Sequence, residues 1–131
     1  MSEQKHTGGC LCGAVRYEAT GPLREVTVCH CGQCRKWHGH ACAYTAVDNA
    51  KFKLLKDADL KWFASSDRAK RGFCAKCGSS LFYRGNTASY TAIAAGTVDG
   101  KTGVKAVRHI YVADKGDYYD IKDGLPQQAQ H

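Results

Sequence analysis

The chain is 131 residues long with a mass of 14.3 kDa, 44% hydrophobic and 24% charged. That is enough for one hydrophobic core and too ordinary for a disordered, collagen-like or coiled-coil protein. Its formal net charge of +7 invites a nucleic-acid partner, but thiolates on metal would lower that charge, and the eight cysteines are the more unusual count.

No run comes near the roughly 18 apolar residues that a membrane span needs, and the opening Met1-Ser2-Glu3-Gln4-Lys5-His6 lacks the apolar centre of a secretory signal. A cytoplasmic setting is therefore expected, in which thiols serve as metal ligands more often than as disulfides. The expectation is a single domain over 1–131.

In chain order, Gly8-Gly9 leads into Cys10 and Cys12, followed by a strand over 15–19 with Val15 and Tyr17 on one face and Thr20-Gly21-Pro22 at its end. A strand over 25–28 runs into Cys29, Cys31 and Cys34, and residues 31–38 read as a short helix. Strand-like segments follow at 41–47, which holds Cys42, and at 52–55, 60–64, 80–84, 90–95, 107–112 and 118–121. Asp48-Asn49, Gly85-Asn86, Asp99-Gly100 and Lys115-Gly116-Asp117 supply turns between them. The class is mainly β. The polar tail over 125–131 is expected to fray, and His6 and His131, near the termini, are set apart from the chemistry.

Cys74-Ala75-Lys76-Cys77-Gly78 can offer two sulfurs to one ion, and Cys10-Leu11-Cys12 is the natural second pair. Four thiolates close the coordination sphere of a tetrahedral Zn²⁺, so this group reads as a structural staple between distant segments. A redox Cys-x-x-Cys fits poorly, because the βαβ pattern that houses one is absent from the reading.

Cys29-His30-Cys31-Gly32-Gln33-Cys34-Arg35-Lys36 places three thiols within six residues, and three protein ligands with one exchangeable position is the pattern of catalytic zinc. The alternative is a fourth protein ligand, Cys42 first, with His30, His38 and His40 behind it. An extended segment would turn His30 away from its neighbours' metal.

Beyond these spacings, Gly8 to Tyr17, the run Cys29 to Lys36 with Gly39, and Gly72 to Leu81 resemble the motifs of the glutathione-dependent formaldehyde-activating enzyme family. Arg108-His109-Ile110-Tyr111-Val112 and Tyr119 to Pro126 resemble that family's end, so the likeness spans about 8–126 in the right order. The resemblance implies several coiled antiparallel sheets in an Mss4-like fold stapled by zinc, with two zinc ions per chain. It implies Cys10, Cys12, Cys74 and Cys77 as structural ligands and Cys29, Cys31 and Cys34 as catalytic ones.

The activity it implies is that of a carbon-sulfur lyase or S-(hydroxymethyl)glutathione synthase. Such an enzyme acts on a small-molecule thiol, or on a thiol–aldehyde adduct such as glutathione with formaldehyde. Family likeness leaves the particular substrate open.

Arg35 and Lys36, with Arg68, Lys70, Arg71 or Arg108 further off, are candidates to bind substrate carboxylates, and His30, His38, His40 and His109 are candidate bases. Trp37 and Tyr111 read as packing residues. The rival is a noncatalytic zinc module with two closed sites that binds a protein or nucleic acid. Against it, the one compact basic run, Arg68, Lys70 and Arg71, is short, and aromatics do not interleave with it.

Overall fold

The computed structural model describes residues 4–131. In chain order its elements are β1 (Lys5–Gly9), β2 (Arg16–Thr20), β3 (Val26–Cys29), α1 (Gly32–His38), β4 (Cys42–Asp48), β5 (Phe52–Lys56), β6 (Leu60–Ala64), β7 (Ala69–Cys74), β8 (Ser80–Gly85), β9 (Tyr90–Ala94) and β10 (Ala106–Ile110). Strands β1-β2-β5 form one sheet and β10-β3-β4-β9-β8-β7-β6 the other, so the mainly β expectation holds. Neighbouring strands run antiparallel except β10 and β3, which are parallel.

The core lies where the two sheets meet. Val15, Tyr17, Ala19, Leu81, Phe82 and Ile93 are fully buried, and the Tyr17 and Phe52 rings meet Phe82 edge-on at 5.3 and 5.1 Å. Cys10 and Cys74 belong to this apolar cluster, which sets the four-cysteine group at the edge of the core.

Two strands escape the sequence reading. In β1, Lys-His-Thr-Gly-Gly has poor strand propensity, yet a Cβ on Gly8 would collide with the Tyr17 phenol and Thr97 O. Close backbone approach beneath a buried ring, not propensity, selects glycine there. Gly8→Ala is accordingly expected to cost about 2–3 kcal/mol, read from the urea midpoint at constant m. A loss below about 0.5 kcal/mol would mean that the contact relaxes freely.

The second missed strand, β7, hides behind its charges: Ala-Lys-Arg-Gly-Phe-Cys sits between β6 and β8 with Arg71 buried.

Conversely, 118–121 forms no strand; the Lys115-Gly116-Asp117 turn chemistry extends through Tyr118. Nor does the tail fray. It runs beside β10, with His109 N donating to Pro126 O at 2.9 Å, Gln128 N to His109 O at 2.9 Å and Tyr111 N to Gln130 O at 3.1 Å. The ladder overrides the tail's polar composition. His6, likewise, is a buried residue of β1 and not part of a loose end.

Candidate metal centres

Local turns build both cysteine groups. Gly13 follows Cys12 with φ +81° and Gly78 follows Cys77 with φ +80°, left-handed turns that glycine adopts without strain. Gly13 N donates to Cys10 O at 3.2 Å and Gly78 N to Cys74 O at 2.8 Å, closing each turn around its pair of sulfurs.

The structure brings Cys10, Cys12, Cys74 and Cys77 into one group that could hold a metal ion. Cys10 Sγ lies 3.6 Å from Cys12 Sγ, and Cys12 Sγ lies 3.8 Å from Cys74 Sγ. A tetrahedral ion with bonds of about 2.3 Å separates its sulfurs by about 3.8 Å, so these spacings fit zinc and are far beyond a disulfide bond. Val15 N donates to Cys10 Sγ at 3.2 Å. Ser79 ties the halves together: its Oγ accepts from Leu11 N at 3.0 Å and lies 3.2 Å from Cys77 Sγ. The Ser79 hydroxyl, then its backbone, pulls the Cys77 thiol down to about 5.

The second group is Cys29, Cys31 and Cys34, whose sulfurs also lie close enough to share an ion. Cys29 ends β3. Cys31 caps α1, its sulfur accepting from Cys34 N at 3.2 Å, and Cys34 stands in the first helical turn. Without a cation the three cannot ionise together. Hydrogen bonds from Cys29 and then Cys34 favour the Cys31 thiolate, while contacts with Cys31, then with Cys34, and burial drive Cys29 up. A donor set of three sulfurs suits a divalent cation that accepts thiolate ligands, zinc among them.

Strand alternation sets what each face sees. Thr27 and Cys29 point into an open cleft of about 1240 Å³, also bordered by Cys31, Cys34, Tyr44, Tyr83 and Arg71; Val28 and His30 point to a smaller pocket on the opposite face. Behind the loop, a chain of hydrogen bonds fixes His30. Asp123 Oδ2 lies 2.7 Å from His109 Nε2, His109 Nδ1 lies 2.8 Å from His30 Nε2, and His30 Nδ1 lies 2.6 Å from the Tyr119 hydroxyl. Burial, then the neighbouring His109, lowers the His30 pKa. If the Asp123 carboxylate accepts from His109 Nε2–H, one consistent set follows: His30 donates through Nε2 and accepts the Tyr119 proton at Nδ1. The chain thus pins the loop that carries the three cysteines to the C-terminal segment.

Of the candidate bases, then, His30 and His109 face away from the cleft. His38 Nε2 is 2.8 Å from the Tyr44 hydroxyl, its pKa lowered to about 4 by burial and by Arg71; His40 Nδ1 is 2.7 Å from Tyr118 Oη. Cys42 is the register partner of Cys29 yet lies outside the metal-holding group, a buried thiol that burial pushes up to about 12. Trp37 packs, as expected: it stacks on Phe63 at 5.5 Å and donates to Ser80 Oγ at 3.0 Å. Tyr111 packs too, against the apolar cluster around Cys29, Cys42 and Tyr44, while also bordering the cleft in a left-handed conformation.

The cations rearrange most. Lys36 is exposed, and neither it nor Arg35 is among the cleft-lining residues. Arg71, read from sequence as part of a surface basic run, is only 2% exposed and donates from Nη2 toward Cys34 Sγ at 3.6 Å, from Nη1 to Tyr44 Oη at 3.0 Å, and from Nε and Nη2 to Gln33 Oε1 at 2.9 and 2.7 Å. Its guanidinium also lies over the Tyr83 ring at 4.8 Å.

A buried cation against a thiolate cluster stabilises the cluster's excess negative charge. Nothing local in Lys70-Arg71-Gly72 signals this, because the partners come from α1 and β4. Arg71→Met is expected to weaken metal at the three-cysteine group by roughly 10- to 100-fold while sparing the four-cysteine group. Chelator competition resolves the two steps, and equal retention at both would reduce Arg71 to packing.

Residues 5–114 match the family model of the glutathione-dependent formaldehyde-activating enzyme. An uncharacterized lyase of Schizosaccharomyces pombe is 28% identical over 119 residues, covering 89% of this chain and 85% of that protein. In fold, the chain is similar to a crystal structure of a Rhodobacter sphaeroides protein, with a TM-score of 0.60 at 19% identity over 77% of this chain and 99% of the other.

Proposed function

The chain belongs to the glutathione-dependent formaldehyde-activating enzyme family, and from that premise we propose that it is a zinc-dependent carbon-sulfur lyase or synthase that makes or breaks a thiol–aldehyde adduct. The observation that carries this reading is the placement of Cys29, Cys31 and Cys34. Three sulfurs border a large cleft, and among the described residues no fourth thiol, imidazole or carboxylate joins them as a ligand.

Cys29, Cys31 and Cys34 would hold the second zinc, and Cys10, Cys12, Cys74 and Cys77 the first. Zinc supplies Lewis acidity and favours the ionised form of a sulfur ligand. The chain's own residues do the rest. The cleft admits the thiol or its adduct, Arg71 offsets the charge gathered on the sulfurs, and the Tyr119–His30–His109–Asp123 chain holds the loop in place. The noncatalytic module loses ground because Cys42, its first choice for closing the site, lies outside the group.

Glutathione and formaldehyde are the substrates to try first. With both present, exchange NMR is expected to show adduct formation accelerated by the protein and not by Cys31→Ser. Identical exchange in buffer and in protein would remove this substrate pair.

A further inference from the structure

Beside the three sulfurs stands a phenol hydroxyl. Tyr44 of β4 borders the cleft together with Cys29, Cys31, Cys34 and Arg71, and is itself only 7% exposed. One guanidinium links it to the cysteines: Arg71 donates from Nη2 toward Cys34 Sγ at 3.6 Å and from Nη1 to Tyr44 Oη at 3.0 Å. The phenol oxygen and the sulfur are therefore held by the two terminal nitrogens of a single rigid, planar group. Gln33 Oε1, which accepts from Nε and Nη2, and the Tyr83 ring fix that group in turn.

A phenol oxygen offers one proton and two lone pairs. Arg71 occupies one lone pair, and His38 Nε2 stands 2.8 Å away. Burial and Arg71 keep His38 neutral, so in its Nε2–H tautomer it donates to the second lone pair. Cys42, on the same face of β4, neighbours the hydroxyl as a protonated thiol, which is a weak acceptor. The one proton of Tyr44 is then left for an oxygen in the cleft.

Adduct formation needs such a donor. As the lone pair of a thiolate sulfur forms the C–S bond to an aldehyde carbon, the C=O π pair moves onto the oxygen, which lies two bonds from the sulfur and takes up one proton. We propose that Tyr44 is the proton donor of this step: its Oη gives its proton to the oxygen of the forming adduct and takes one back when the adduct breaks. The inference rests on the reading of the three cysteines as a thiol site and adds the residue that handles the proton. The phenolate left behind keeps two N–H donors, from Arg71 Nη1 and His38 Nε2, which hold its charge in a buried position. Cleft water, which received a proton when the thiol ionised, returns one to Tyr44, so thiol plus aldehyde gives adduct with no net proton consumed.

Tyr44→Phe keeps the ring and removes the proton. In exchange NMR of the zinc-loaded protein with glutathione and formaldehyde, the accelerated rate is expected to fall by about 100-fold or more. Metal content and the calorimetric affinity for glutathione should stay as in the parent. A rate equal to the parent's would overturn the donor role and leave the lyase reading in place. Loss of metal or of glutathione binding along with the rate would overturn it as well, making Tyr44 a structural support. Because phenylalanine strands the Arg71 and His38 donors, Tyr44→3-fluorotyrosine is the second variant; it keeps the hydroxyl and makes it more acidic. Its rate is expected to rise several-fold, as a donor moves closer to the working pH, and a rate indifferent to the fluorine would overturn the proposal even if the phenylalanine variant fails to fold. Absence of acceleration by the parent protein would overturn the lyase reading and the donor together.

Discussion

Cys74→Ser is expected to leave the protein unfolded, or at best to lower its Tm by tens of degrees, with one metal equivalent lost. Cys74 is fully buried within the apolar cluster that joins the two sheets, and its sulfur stands 3.8 Å from Cys12, which lies 62 positions earlier. A structural zinc contributes on the order of 10 kcal/mol, comparable to the entire stability of a small domain. The remaining three thiols would be crowded without a closed coordination sphere. Circular dichroism with metal analysis checks this, and a variant that melts within about 5 °C of the parent would show that the four-cysteine group does not staple the fold.

The second large effect separates chemistry from folding. Cys31→Ser should abolish adduct turnover by on the order of 10³-fold or more and remove one metal equivalent, while the melting temperature stays within about 5 °C. Serine is a strong N-cap, so the hydroxyl can inherit the bond that Cys34 N now makes to Cys31 Sγ, and α1 keeps its first turn. Retained activity with one metal lost would place the chemistry elsewhere. A collapse of the fold would make this group a second staple.

What could be read without a structure was local. Cysteine spacing and the alternation that turns His30 away from Cys29 and Cys31 are properties of a few adjacent residues, and the structure gathers the cysteines into two groups with His30 on the opposite face. Strands with apolar alternation were legible too; β6 spans the residues its pattern marks.

The missing parts depend on partners far away in the chain. Gly8 makes sense only beneath Tyr17, the tail only beside β10, and Arg71 only once Gln33, Cys34 and Tyr44 surround it. Arg24 and Lys51 went unnoticed among 19 basic residues, because no local pattern marks a cation that a cleft will gather.

The account turns on whether a thiol can reach a metal held by Cys29, Cys31 and Cys34. Cobalt(II) substitution tests it directly, because sulfur-to-cobalt charge-transfer absorption grows with each added sulfur ligand. Adding thiol to the cobalt-loaded protein is expected to intensify that band saturably, and to have no effect in Cys31→Ser. A band that is indifferent to thiol in the parent protein, at its full four-sulfur intensity in both sites from the start, would contradict it.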